Sequence, residues 1–485
     1  MNSPVSNSRA EQQEIDASAK WPVLAFFAQG LAWLLVGGAL QLAGSYQLHT
    51  PEFLAGCEWF THGRIVAAAS TALIYGWGFN AAFGVALWLM ARLSSAALRS
   101  GGWLLISGKF WNIGVALGIA GIFLGASTSY ELLEMPRFVV HLLLGAYALM
   151  GVWVITTYSV RNTENVYASQ WYLFAAVLLF PWLFFAAQVM LFVTPVRGVV
   201  QSVVNAWYVN GVYGLWFIPL GLAIAYYFVP KLTGRAVYNY YLSAVGFWWL
   251  LICTAFAGGS RLIGGPVPAW VSTLGIVAQY AAVPAVVIIL ANLLGAFSGR
   301  YSLLGSSYAL RFILLSVLGF AGWSTLSLLL SFREIAVTAQ LTFLPELRDT
   351  LAFYGCFSTA VFGAAYFLLP RLTGQAWRSQ ALVYIHWTCT AAGLVVLVAG
   401  LTLGGWQQGQ LLNNATLPFA DVVRQMTPWF VTRSVALMLL LTGHAAFVVN
   451  FGWMCFGTAA GMVGLAGSEE QATFTPPPAM EVPHS

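Results

Sequence analysis

Twelve apolar stretches, each long enough to cross a bilayer at about 20 residues per crossing, follow one another with only short polar breaks. They lie near residues 21–46, 66–96, 108–128, 138–159, 168–193, 203–229, 239–262, 269–297, 308–331, 350–370, 380–403 and 430–464. A chain of this kind has to fold in lipid, where each backbone N–H and C=O needs an internal partner and only helices and closed barrels supply one. The runs are twice the length of a barrel strand, so helices are expected. Only 7% of the 485 residues are charged, and the mean hydropathy is +0.78, which excludes a water-soluble globular fold. The expected architecture is therefore an all-α polytopic membrane protein with twelve transmembrane helices in one domain over 21–464. A polar N-terminal tail (1–20) and a polar, Pro-rich C-terminal tail (465–485) flank it.

The first twenty residues contain Arg9, Glu11, Glu14, Asp16 and Lys20 and no apolar core of a cleavable leader, so the first span is read as retained. Twelve spans put both termini on one side. Placing them in the cytoplasm leaves ten Lys/Arg in the inner loops against eight in the outer ones, which favours a multi-pass protein with cytoplasmic termini. The net charge of +5 is a topological feature and points to membrane lipid, not nucleic acid, as partner. Cys57, Cys253, Cys356, Cys389 and Cys455 form no Cys-x-x-Cys pair, so neither an attached c-type haem nor a zinc site is expected. Gly114, Gly118, Gly121 and Gly125 put small residues one turn apart on the third span, which suits close helix contact in lipid.

Several strings occur in a fixed order along the chain: Ser129-Tyr130-Glu131-Leu132-Leu133-Glu134-Met135-Pro136, Glu164-Asn165-Val166-Tyr167, Trp207-Tyr208-Val209-Asn210-Gly211, Tyr226-Tyr227-Phe228-Val229-Pro230-Lys231, Phe256-Ala257-Gly258-Gly259-Ser260-Arg261, Leu369-Pro370-Arg371 and Met426-Thr427-Pro428-Trp429-Phe430-Val431-Thr432-Arg433. Together they resemble the catalytic subunit I of the cbb-type haem-copper oxygen reductases, from about residue 60 to residue 455. The resemblance implies a fold like that of haem-copper oxidase subunit I in a bacterial inner membrane, two b-type haems, copper, and a membrane-anchored c-type cytochrome subunit as partner.

The same resemblance exposes a missing chemistry. The family holds copper with three imidazoles, whose places fall here on Asn210, Ser260 and Arg261, and its cross-linked tyrosine falls on Thr254. The low-spin haem ligand after Gly63-Arg64 falls on Ala69, and counting back from Pro370 puts the two remaining haem ligands at Arg348 and Thr350. No histidine occurs from residue 142 to residue 385, so the five ligands expected there are absent in any register. Imidazole is needed because it offers a neutral nitrogen lone pair to iron or copper. No catalytic residue, cofactor or metal site is therefore expected, and the family's Phe-Glu-Gly has become Leu326-Ser327-Leu328.

Of the six histidines, His49, His62 and His484 are read as solvated or interfacial, and His141 opens the fourth span. His386 and His444 lie inside adjacent spans, where an ionisable group defaults to a functional hypothesis; a haem gripped between them is the remote alternative to hydrogen bonding with a neighbouring helix. Arg261 has two readings. Either it replaces a lost cation and takes acceptors from carbonyls, Ser260, Asn210 or an anion, or its head reaches interfacial water.

Three functions follow as expectations. The first is a non-catalytic subunit I homologue that anchors a c-type cytochrome in a respiratory electron-transfer complex. The second is an active terminal oxidase, reducing dioxygen with electrons from cytochrome c and pumping protons. The third is a transporter or channel that reuses the emptied cavity; it lacks the inverted repeat and broken helices that mark such sites.

Overall fold

The computed structural model describes residues 4–99, 101–162 and 166–462. Within them lie twelve helices long and apolar enough to span a membrane: α1 (Glu11–His49), α2 (His62–Leu93), α3 (Gly101–Phe123), α4 (Arg137–Ser159), α5 (Ala168–Val193), α6 (Val200–Thr233), α7 (Tyr240–Leu262), α8 (Ala269–Phe297), α9 (Tyr308–Leu329), α10 (Phe343–Thr373), α11 (Gln380–Leu412) and α12 (Phe419–Phe456). The C-terminal tail at 465–485, together with Glu164 and Asn165, falls outside the described residues.

The polar tail expected at 1–20 has a different form. Helix runs from Pro4 without a break into α1, and Ile15, Ala19 and Val23 bury one face at i, i+4 and i+8. Asp16, next to that face, accepts hydrogen bonds from Trp88 Nε1 at 2.9 Å and Arg371 Nε at 2.6 Å. A low-hydropathy segment is helical here because its few apolar residues share one stripe.

Three helices form the centre. The apolar window of α2 is wholly buried and those of α6 and α10 are 89% buried, whereas the other nine lie between 33% and 50%. Each central helix contains a stretch of π-helical turns within its length: Ala72–Gly78, Val212–Phe217 and Leu351–Ser358. Each also closes on the same pattern, Arg92-Leu93-Ser94-Ser95, Lys231-Leu232-Thr233-Gly234 and Arg371-Leu372-Thr373-Gly374. The last residue of each is left-handed, with φ of 46° at Ser95, 72° at Gly234 and 71° at Gly374, the usual way to end a helix. The three central helices thus repeat one pattern.

The outer helices pack on this centre through small residues. On α3 a Cβ at Gly114 would lie 2.7 Å from Leu143 and one at Gly118 2.7 Å from Met135, so the glycine stripe sets the approach of the chain entering and forming α4. Gly125, at φ 87°, lies beyond the helix and turns the chain.

Candidate functional site

At the end of the bundle away from the termini, the starts of α2 and α10, the end of α1 and the loop before α4 enclose a cavity of about 550 Å³. The expected haem-ligand positions Ala69, Arg348 and Thr350 all line it, as does Arg261 from the copper-ligand set. The fold makes these four positions neighbours, while Asn210, Ser260 and Thr254 are not among the cavity's lining residues.

Their partners were not foreseen. Arg261 donates from both Nη atoms to both carboxylate oxygens of Asp349, at 2.7 to 3.1 Å. Ser260 and Asn210 bond elsewhere, and the start of α10 presents a carboxylate 88 residues further along the chain. Arg348 adds a 3.3 Å contact from Nε to the same carboxylate, and Arg433 pairs with Glu346 at 2.6 Å. Arg261 also lies against the ring of Tyr213. The signal was present in Glu346, Arg348 and Asp349, three charges at the head of an apolar run, but a hydropathy reading starts the span at 350, after them. The helix begins at Phe343, with Thr342 Oγ1 capping Leu344 N.

The other copper-set positions are turned into packing. Asn210 donates through Nδ2 to the carbonyl of Thr254 at 2.8 Å, and Ser260 donates to the carbonyl of Ala257 at 2.8 Å. Thr254 lines a second, mostly apolar cavity with Ala257, Trp323 and Leu328. Side chains present at these positions do not fit haem or copper: a methyl has no lone pair, the guanidiniums are ion-paired, and the Asn210 amide is engaged. The cavity has one imidazole, that of His62, about 10 Å along α2 from Ala69. His386 and His444 lie among aromatic side chains: Phe362 packs against both rings and Phe447 against His386. Tyr366 hydrogen-bonds His386 Nδ1 at 2.8 Å and Tyr354 bonds His444, the neighbouring-helix reading of a membrane histidine.

An acidic loop closes the cavity. Asn205 holds Glu131 by its backbone, donating to the carbonyl at 3.0 Å and accepting from the N–H at 3.3 Å. Tyr75 bonds both the Leu132 carbonyl and the Tyr208 hydroxyl, tying the loop to α2 and α6. Glu134 Oε1 accepts from Leu132 N at 3.0 Å while Oε2 is buried without a partner. Burial is the main reason the Glu134 carboxyl is pushed up to about 7, with Glu131 adding repulsion against its two backbone hydrogen bonds. Glu131, reached through the cavity yet surrounded by protein, is also raised, by burial first and only partly offset by Arg261.

This sets a pH dependence. A carboxyl whose folded pKa exceeds its unfolded value binds more protons in the native state, so stability is greatest below the unfolded value and declines as pH rises. For Glu134 the decline runs from about pH 4.5 to about pH 7. Tyr75, Tyr208, Tyr213 and Glu131 are the titratable groups that face it. Glu134→Gln is expected to flatten that part of a melting-temperature profile; an unchanged slope would contradict the assignment.

The family description "Cytochrome C and Quinol oxidase polypeptide I" matches residues 22–439. The chain is 27% identical over 448 residues to cytochrome c oxidase subunit 1 of Rhodobacter capsulatus, covering 86% of this chain and 82% of that protein. It is 25% identical over 446 residues to the cbb3-type cytochrome c oxidase subunit CcoN1 of Stutzerimonas stutzeri, covering 88% and 92%. Its fold is similar to that of a heme-copper terminal oxidase dimer solved by cryo-EM, with a TM-score of 0.74, 11% identity and coverage of 94% and 85%.

Proposed function

This chain belongs to the cytochrome c and quinol oxidase polypeptide I family, and from that premise we propose that it is a non-oxygen-reducing subunit I homologue of the cbb3 type, a membrane scaffold that anchors a c-type cytochrome subunit in a respiratory electron-transfer complex. The observation that carries this reading is the Asp349 carboxylate held by Arg261 and Arg348, in the region where the family resemblance places imidazoles. A guanidinium keeps its proton and offers no lone pair to a metal. Ala69 supplies only a methyl on the facing wall. With no axial nitrogen at these stations, the chain's own contribution is shape: twelve helices presenting a family-like surface to the partner, with termini on the cytoplasmic side.

The names of the full-length relatives favour a second reading, an active terminal oxidase. Pyridine haemochrome analysis and the reduced-minus-oxidised spectrum of the purified chain separate the two. We expect no stoichiometric b-type haem and no oxygen consumption, with only c-type absorbance in material that retains its partner. Two b-type haems per chain would overturn the scaffold reading in favour of the oxidase.

A further inference from the structure

The two faces of the large cavity differ in character. One is the more apolar, with Leu48 of α1, Val66, Ala69 and Leu73 of α2 and Phe353 of α10, interrupted by Gln41, Ser45, His62 and Ser70. The other is ionic and incompletely satisfied. Arg348 is 8% exposed and uses only Nε, so both of its terminal nitrogens lack a hydrogen-bond partner among the described residues. Glu134 Oε2 is buried and unpartnered on the same cavity.

The open fork of Arg348 gives the sign of a ligand. Arg261 and Arg348 share one carboxylate, Asp349, and Arg433 is matched by Glu346. Glu131 and Glu134 also line the cavity and bring its carboxylates to four against three guanidiniums, but neither hydrogen-bonds Arg348 among the described residues, so its terminal nitrogens stay open. A free guanidinium edge presents two parallel N–H groups, the geometry that a carboxylate meets bidentately. The Glu134 carboxyl, pushed up to about 7 by burial, is below that pH a neutral donor that an anion tolerates. The volume is that of a small-molecule site, about 300–1,000 Å³, and its apolar wall calls for a ligand with a hydrocarbon body.

We propose that this cavity binds an amphiphilic carboxylate, a long-chain monoacid whose head group sits on the terminal nitrogens of Arg348 and whose apolar body lies along α1 and α2. The site is independent of the anchoring role, because it requires only this chain.

The probes are cis-parinaric acid and its methyl ester, which share an apolar body and differ in charge, titrated by fluorescence into the purified chain in nanodiscs. Saturable one-to-one binding of the acid, at least ten-fold tighter than of the ester, is expected. Arg348→Gln lowers affinity for the acid about ten-fold and leaves the ester unchanged, while Arg424→Gln, at an exposed position on α12, changes neither. Equal binding of acid and ester, no saturable binding, or an Arg348→Gln protein that binds the acid like the wild type overturns the proposal. The wild-type comparison of acid with ester decides the matter even if Arg348→Gln fails to fold. A haem spectrum in the same sample reports separately on the scaffold reading.

Discussion

Asp349→Asn is expected to destabilise the folded chain by about 3 kcal/mol, the scale on which removing one partner strands a buried charge. Arg261 and Arg348 have side chains only 9% and 10% exposed, and Asp349 is 15% exposed, so little solvent is present to screen the loss. An amide cannot accept four charge-assisted contacts from Arg261, and its NH₂ group would face the guanidinium. The reverse change, Arg261→Gln, leaves Asp349 one guanidinium and is expected to cost less. Because the two residues touch, the double variant is expected to be more stable than the sum of single effects predicts, by about 1–3 kcal/mol. Denaturant midpoints in one detergent, compared at equal slope, measure this cycle. A change in Asp349→Asn within about 0.5 kcal/mol, the range of an ordinary surface substitution, would mean that cavity water already screens the pair. The pair is thus weak evidence for net stability against an apolar filling and strong evidence for geometry: it fixes how α7 meets α10.

The legibility of this arrangement from sequence was uneven, for physical reasons. Helix number and order follow from hydropathy because lipid admits no alternative to internal hydrogen bonding, and the spans at 168–193 and 269–297 coincide with α5 and α8. Ends were less legible. Charges at the head of α10 and in α12 look like loop residues, yet Arg433 and Glu346 compensate each other across the cavity and allow helix to continue. The convergence of Ala69, Arg348, Thr350 and Arg261 was readable only through family resemblance, since residues on α2, α7 and α10 share no local pattern. Asp349 escaped because its role depends on a contact 88 residues away. The three-fold repeat was in plain view as Arg-Leu-Ser-Ser, Lys-Leu-Thr-Gly and Arg-Leu-Thr-Gly, but four residues are a weak signal until the backbone shows each ending in the left-handed region.

That repeat creates the second large effect, at the opposite end of the bundle. Arg92, Lys231 and Arg371 occupy the last turns of three helices, where the C-terminal dipole favours cations, and the repeat brings them together. Lys231 lies within electrostatic reach of both arginines. Asp16 is the counter-charge: it bonds Arg371 at 2.6 Å, lies 3.8 Å from Arg92 and accepts from Trp88. Arg92 also donates to the carbonyl of Gln12 at 3.2 Å, and Ser18 accepts from Leu98 N at 2.9 Å, so the first turns of α1 are held to the end of α2 and the connection after it by polar contacts around this carboxylate. Asp16→Asn keeps the acceptor for Trp88 and removes the charge. The expected result is a loss of about 3–5 kcal/mol, felt first as local opening, because the segment before the apolar part of α1 buries little beyond Ile15 and Ala19. Trypsin reads that opening directly: cleavage after Lys20 is expected to be slow in the wild type and rapid in Asp16→Asn, with Arg371→Gln in the same background restoring part of the protection by removing one stranded cation. Equal cleavage rates in wild type and Asp16→Asn would show that Ile15, Ala19 and Val23 alone dock the helix, and that the three cations are kept apart by solvent and lipid without a protein carboxylate between them.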